Sequence, residues 1–193
     1  MIKKTPLFIF YFKCIGLISL AVFNCNRSPD INYYDRLNSG SKLLPANFWR
    51  GQHLGYQVIM DRAGHIKKTA QLTQTCQATD DTHGVCEVKR VFYKKKSIES
   101  WKFDWKIRYD DHQNMEITIK NKYGSKLNGP ARGSVMVLTG NQPIPGEKDK
   151  NATCELHLRA LPDSTQSYYE ITNYSFMGFT IGSTNTIWKK SGD

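Results

Sequence analysis

The sequence predicts an all-β domain, an antiparallel up-and-down barrel of the lipocalin type with about nine strands; a β-sandwich is the alternative. Three observations carry this prediction. Apolar residues alternate with polar ones at period two through much of the chain, turn-forming residues recur at short and even intervals, and no stretch has an amphipathic pattern long enough for a three-turn helix. Period two with one polar face marks strands half exposed to water, and closing such a sheet removes the edges that would otherwise pair with other chains.

Taken in order, Pro45 to Gly51 can hold one short turn, and the first strand follows at His53 to Met60. Further strands are expected at Ile66 to Gln77, Val85 to Tyr93, Ile98 to Tyr109, Met115 to Tyr123, Gly133 to Thr139, Thr153 to Leu161, Ser167 to Phe176 and Phe179 to Lys189. The clearest reads IESWKFDWKIRY, where Trp101, Phe103, Trp105, Ile107 and Tyr109 alternate with Lys102, Asp104, Lys106 and Arg108. The connections at Asp61 to Gly64, Asp80 to Gly84, Asp110 to Asn114, Gly124 to Pro130 and Pro162 to Gln166 are rich in Gly, Asp, Asn and Pro, residues whose backbone preferences suit reversals.

The N-terminus reads differently. Lys3 and Lys4 precede an apolar run broken by Lys13, and the uninterrupted part, Cys14 to Phe23, is shorter than the about 20 residues a spanning helix needs. A basic start, a short apolar centre and a polar exit form the layout of a secretory signal over residues 1–24. Val22, Phe23, Asn24 and Cys25 occupy the positions of a lipobox, with Cys25 as the residue that carries lipid; ordinary cleavage nearby, or an uncleaved anchor, with Cys25 incidental, is the other reading. Residues 25–44 are polar, rich in Asn, Ser and Gly, and read as a flexible tether to a barrel domain over 45–193. The expected place is therefore the cell envelope, with the chain lipid-anchored in the periplasm.

The formal charge of the chain is +10, and removing residues 1–24 takes away three lysines and no acidic residue, leaving +7. Short basic runs at Lys67 and Lys68, Lys94 to Lys96, and Lys189 and Lys190 suit an anionic lipid or glycan surface. Export argues against nucleic acid as a partner. Cys76 and Cys86 flank a predicted turn between two strands, where a disulfide could form in an oxidising compartment; two buried thiols are the alternative, with Cys154 a third.

The segment FWRGQHLGYQVIMDRAGHIKK, with Phe48, Gly51, Gly55, Asp61, Arg62 and Gly64 at their spacings, resembles the opening of an uncharacterised family of bacterial lipid-anchored, lipocalin-like proteins of unknown function. WKFDWKIRYDDH, GPARGSV around Gly129 to Val135, and the closing NYSFMGFTIGSTNTIW are similar to later strands of that family in the same order. The resemblance implies a lipocalin-like fold and an envelope address. It carries no catalytic residues and no cofactor.

The residues themselves give no catalytic signature either. The five histidines lack any HxH or HExxH spacing, CxxC and GxSxG are absent, and GFTIGS at Gly178 to Ser183 lies within a predicted strand. Asp80, Asp81, His83 and Cys86 form the best local cluster for a cation, but turns are rich in Asp and Gly for backbone reasons, so a solvated hairpin tip is the expectation; the same holds for Asp110 to His112. No metal and no cofactor are expected. A non-enzymatic role comes first: a barrel holding a small apolar ligand or lipid, its pocket lined by Trp101, Phe103, Trp105, Tyr109, Ile117, Ile119, Val135 and Val137. A structural or interaction module with a packed core and a basic surface is the alternative, and an envelope enzyme assembled from distant residues the third reading.

Overall fold

The computed structural model describes residues 48–108, 114–120, 124–132, 134–147, 150–161 and 166–191. The signal segment, Cys25, the tether, Tyr109 and the Asp110 to His112 cluster lie outside these residues. Ten strands follow one another: β1 (Gly51–Asp61), β2 (Ile66–Ala78), β3 (His83–Phe92), β4 (Ile98–Arg108), β5 (Asn114–Lys120), β6 (Ser125–Arg132), β7 (Val135–Pro143), β8 (Asn151–Ala160), β9 (Ser167–Phe176) and β10 (Phe179–Lys190). Each pairs antiparallel with its sequence neighbour, and β1 pairs with β10 from His53↔Lys190 to Asp61↔Gly182, so the sheet closes into an up-and-down barrel.

The strand beyond the nine expected is β6, whose sequence SKLNGPAR reads as a turn through Asn128, Gly129 and Pro130. Local chemistry favours a reversal there, but tertiary closeness decides otherwise. A Cβ on Gly129 would lie 1.9 Å from the Val137 carbonyl oxygen, so only glycine lets β6 approach β7 at this point. The β6–β7 ladder is interrupted across Gly129 and Pro130 and resumes at Ala131↔Met136, consistent with the missing proline N–H.

Alternation sorts the side chains. In β3, Gly84, Cys86, Val88, Arg90 and Phe92 point inward, and in β4 so do Phe103, Trp105 and Ile107. Two tryptophans lie flat across glycines on the neighbouring strand. A Cβ at Gly55 would meet the Trp188 ring at 2.8 Å, and one at Gly84 the Trp105 ring at 2.5 Å. Each glycine stands directly opposite its tryptophan, Gly55↔Trp188 and Gly84↔Trp105, and makes room for a ring that covers both strands. Burying side chains of this size contributes roughly 1.5–3 kcal/mol each, and the cluster they join is continuous from Leu72 to Trp188.

One end of the barrel is closed by the turn that precedes β1. Phe48 and Trp49 are almost fully buried: Trp49 packs on Trp105 and Phe103, with centroids 5.8 and 6.1 Å apart, and Phe48 meets Tyr168 edge-on at 4.4 Å. His53 completes this floor, 5.1 Å from the Phe48 ring. Burial, helped by the charge of Lys190, lowers its pKa from 6.5 to about 4, so it is a neutral core imidazole. Cys76 and Cys86 face each other in the β2–β3 ladder and form a disulfide, with Cα atoms 4.1 Å apart.

Candidate ligand cavity

Above the aromatic floor the barrel encloses a cavity of about 260 Å³. Its two walls differ in chemistry. On the β4 to β8 side the lining is mainly apolar, with Trp101, Phe103, Leu127, Met136, Leu156 and Leu158, and its polar members Glu99, Ser100 and Gln142 sit where β4 begins and β7 ends. On the β9, β10, β1, β2, β3 side polar groups enter the inward phase, with Glu170, Tyr174, Gln57, Gln74 and Arg90 on the lining among the apolar Leu72, Val88 and Trp188.

Register explains why these polar groups meet. Gln57 stands opposite Thr186 on β10, and Thr186 opposite Glu170 on β9, so the three form one row across adjacent strands. Gln57 Nε2 donates to Thr186 Oγ1 at 3.1 Å. Glu170 accepts from the Trp188 indole N–H at 3.0 Å and from the Thr172 hydroxyl at 3.4 Å. Burial raises the Glu170 pKa above its ordinary value, while the indole, the Arg90 charge and the Thr172 hydroxyl pull the other way. Higher in the barrel, Gln142 Nε2 donates to the Tyr174 hydroxyl at 2.8 Å, and burial pushes the Tyr174 phenol well above its usual range. Nearby Cys154 is a buried thiol with a pKa raised to about 12, chiefly by burial.

Arg90 is the most telling side chain. It is only 8% exposed, its guanidinium stacks 4.6 Å above the Trp101 ring, and its Nη1 donates to Glu99 Oε2 at 2.7 Å. Among the described residues its Nε has no hydrogen-bond partner, nor have Gln74 Nε2 and Gln57 Oε1. Buried polar atoms are normally satisfied. Here two donors and one acceptor, on three adjacent strands, are left over on the lining of one cavity.

The far end of the cavity is crossed by the β7–β8 connection, where Pro143, Ile144 and Glu147 join the lining. Two contacts hold this strap: Lys68 Nζ donates to the Gly146 carbonyl at 3.0 Å, and the Gly146 N–H donates to Glu99 Oε1 at 3.0 Å. Glu99 thus ties the strap to the buried arginine.

Of the pocket residues expected from sequence, Trp101 and Phe103 line the cavity, and Trp105 lies below it in the aromatic floor. Ile117 and Ile119 pair with Trp105 and Phe103 in the β4–β5 ladder, their side chains outside the described residues. Val135 and Val137 do not belong to the wall. They stand opposite Arg159 and His157 in β8, while the intervening Met136 pairs with Leu158 and lines the cavity. Apolar residues fill Val135 to Leu138 without a break, so alternation gives no phase there. The polar wall carries no motif in the sequence, yet it has a signal. Arg90 and Glu170 each fall in the same phase as buried neighbours, Val88 and Phe92 in one strand, Tyr168, Thr172 and Tyr174 in the other.

The turn cluster serves its hairpin. Asp80 accepts from the Thr82 N–H at 2.6 Å and the Thr82 hydroxyl at 2.7 Å, and its pKa is lowered chiefly by that hydroxyl. Asp81 pairs with Arg50 at 2.5 Å, and Cys86 is committed to the disulfide. No protein-family model matches the chain, and no curated protein matches it.

Proposed function

We propose that the chain is an exported, lipid-tethered, lipocalin-like protein that binds one small amphiphile or lipid inside its barrel at the cell envelope. The two-sided cavity is the observation that carries this reading. Its volume lies just below the range of most ligand pockets, roughly 300–1,000 Å³, which suits a small ligand, and like them it combines apolar walls with a few convergent polar groups. An acyl or similar tail fits against Phe103, Leu127, Met136, Leu156 and Leu158. A head group with hydrogen-bond acceptors satisfies the free donors on Arg90 and Gln74, and a hydroxyl or amide on the same head can donate to Gln57. The N-terminal pattern ending at Cys25 and the resemblance of the strand motifs to lipid-anchored proteins support the envelope address.

Native mass spectrometry of the full chain, extracted gently from its expression host, tests the reading. A single co-purifying amphiphile, lost in Leu156→Trp, is the expected result, because a tryptophan on the apolar wall fills the space that the tail needs. Retention of the same adduct in a folded Leu156→Trp variant would place binding elsewhere. No adduct, and no binding of added fatty acids or phospholipids, would favour the module that acts through its basic surface.

A further inference from the structure

Five connections lie at the strap end of the barrel: β1–β2, β3–β4, β5–β6, β7–β8 and β9–β10. We propose that this end docks on an anionic lipid bilayer. The surface is distinct from the cavity, and the inference stands whether or not the cavity takes a ligand.

Two independent features coincide there. The first is apolar. Ile66, Tyr93, Ile98, Phe176, Met177 and Phe179 are large apolar side chains more than half exposed, and all sit in or beside these turns. At the opposite end, the described turn Thr79 to Thr82 carries no exposed large apolar residue, and the other exposed apolar side chains there, Leu54, Tyr56, Val85 and Ile187, lie along strands and not at turn tips. Met177 is the extreme case, 83% exposed at the tip of the β9–β10 hairpin. It also has φ 49°, followed by Gly178 at φ 81°, the left-handed pair of a two-residue turn in which Asn or Asp normally precedes Gly. Methionine is unfavourable at this position both for backbone conformation and for hydration. A surrounding less polar than water removes the second cost.

The second feature is charge. Arg62, Lys67, Lys94, Lys95, Lys96 and Lys150 surround the apolar tips. Among the described residues, the acidic side chains at this end are already engaged: Asp61 with Lys67 at 3.0 Å, Glu99 with Arg90, and Glu147 with Lys150 at 3.4 Å. Lys94 to Lys96 make no ion pair among the described residues, and together they form the tip of the β3–β4 hairpin. Apolar tips beside the unpaired Lys94 to Lys96, with Arg62 and the ion-paired Lys67 and Lys150 around them, match a bilayer interface, where the tips enter the acyl boundary while the ammonium groups meet lipid phosphates. A soluble acidic macromolecule accounts for the lysines and leaves Phe176, Met177 and Phe179 in water.

Region-resolved amide hydrogen exchange tests this in the full chain, so that any N-terminal attachment contributes equally to every comparison. The chain is mixed with vesicles of phosphatidylcholine alone or with phosphatidylglycerol added. Exchange at residues 93–97 and 176–179 is expected to slow on the anionic vesicles and to recover in high salt, while residues 79–82 stay unchanged. Replacing Lys94, Lys95 and Lys96 by Gln is expected to weaken that protection on the order of 100-fold in lipid concentration. Met177→Asn suits the left-handed turn better than methionine and keeps the fold, yet should lose most of the protection at 176–179. Unchanged exchange at both turns on a chain that sediments with the vesicles overturns the proposal. So does equal protection by polyglutamate in solution, which identifies an acidic macromolecule instead.

Discussion

Glu99 holds Arg90 with one carboxylate oxygen, at 2.7 Å, and the backbone of the strap with the other, at 3.0 Å. Removing its charge therefore does two things at once: it weakens the latch over the cavity and leaves a buried guanidinium without its carboxylate. Glu99→Gln is expected to cost about 1–3 kcal/mol of stability, because an uncompensated charge stays inside. It should also raise affinity for amphiphiles with an anionic head, since Arg90 then lacks its hydrogen-bonded carboxylate and only the more distant charge of Glu170 competes with the ligand. Paired denaturation and binding titrations check both effects; a fall in affinity for anionic heads contradicts the assignment of Arg90 to the head group.

The floor of the barrel carries a pH dependence. Folding lowers the pKa of His53 from 6.5 to about 4, so between these values the unfolded chain takes up a proton that the folded chain refuses. Stability from this group is complete above pH 6.5 and is lost as the pH falls towards 4, by on the order of 3 kcal/mol. His53→Leu keeps an apolar contact with Phe48 and Tyr168 and abolishes the titration. Its stability should decline less than that of the wild type over this range, as read from denaturant midpoints; parallel profiles would show that His53 is not the group responsible.

Gly84 and Gly55 test how tightly the tryptophans are seated. A methyl group on Gly84 would lie 2.5 Å from the Trp105 ring and 2.6 Å from the Gln77 carbonyl oxygen, so Gly84→Ala must displace backbone or indole. A loss of about 1–3 kcal/mol is expected. At Gly64, where a Cβ would meet nothing within 4 Å, steric crowding is absent and the cost of alanine comes from the positive φ of 84° alone. A thermal melt of each variant separates the two origins, and an unperturbed Gly84→Ala would contradict the stacked arrangement.

Cysteine chemistry should be divided in the same way. Cys76 and Cys86 close a short loop, and replacing both by Ala is expected to lower stability by about 2–3 kcal/mol. Cys154, buried and held protonated, should react with thiol reagents only after unfolding. Mass-resolved alkylation at neutral pH reads this directly, and rapid labelling of Cys154 in the folded chain would count against its burial.

Legibility in the sequence followed the physics of each element. Strands with one wet face announce themselves through alternation, and β4 with Trp101, Phe103 and Trp105 was readable residue by residue. Strand β6 was hidden because Asn128, Gly129 and Pro130 favour reversal locally, whereas the need for close approach to β7 is visible only once both strands are placed. The apolar half of the cavity was partly legible from its aromatic strand. The polar half was hidden because Gln57, Gln74, Arg90 and Glu170 lie far apart in sequence and meet only through the register of β9, β10, β1, β2 and β3.

The most direct test of the central claim is a saturation titration of a fluorescent fatty acid into the full chain and into Leu156→Trp, with folding of both checked beforehand. One site per chain is expected in the wild type, with an apolar emission shift of the probe and loss of that site in Leu156→Trp. Binding that is absent from the wild type, or equal in the two proteins, would contradict a ligand held inside the barrel.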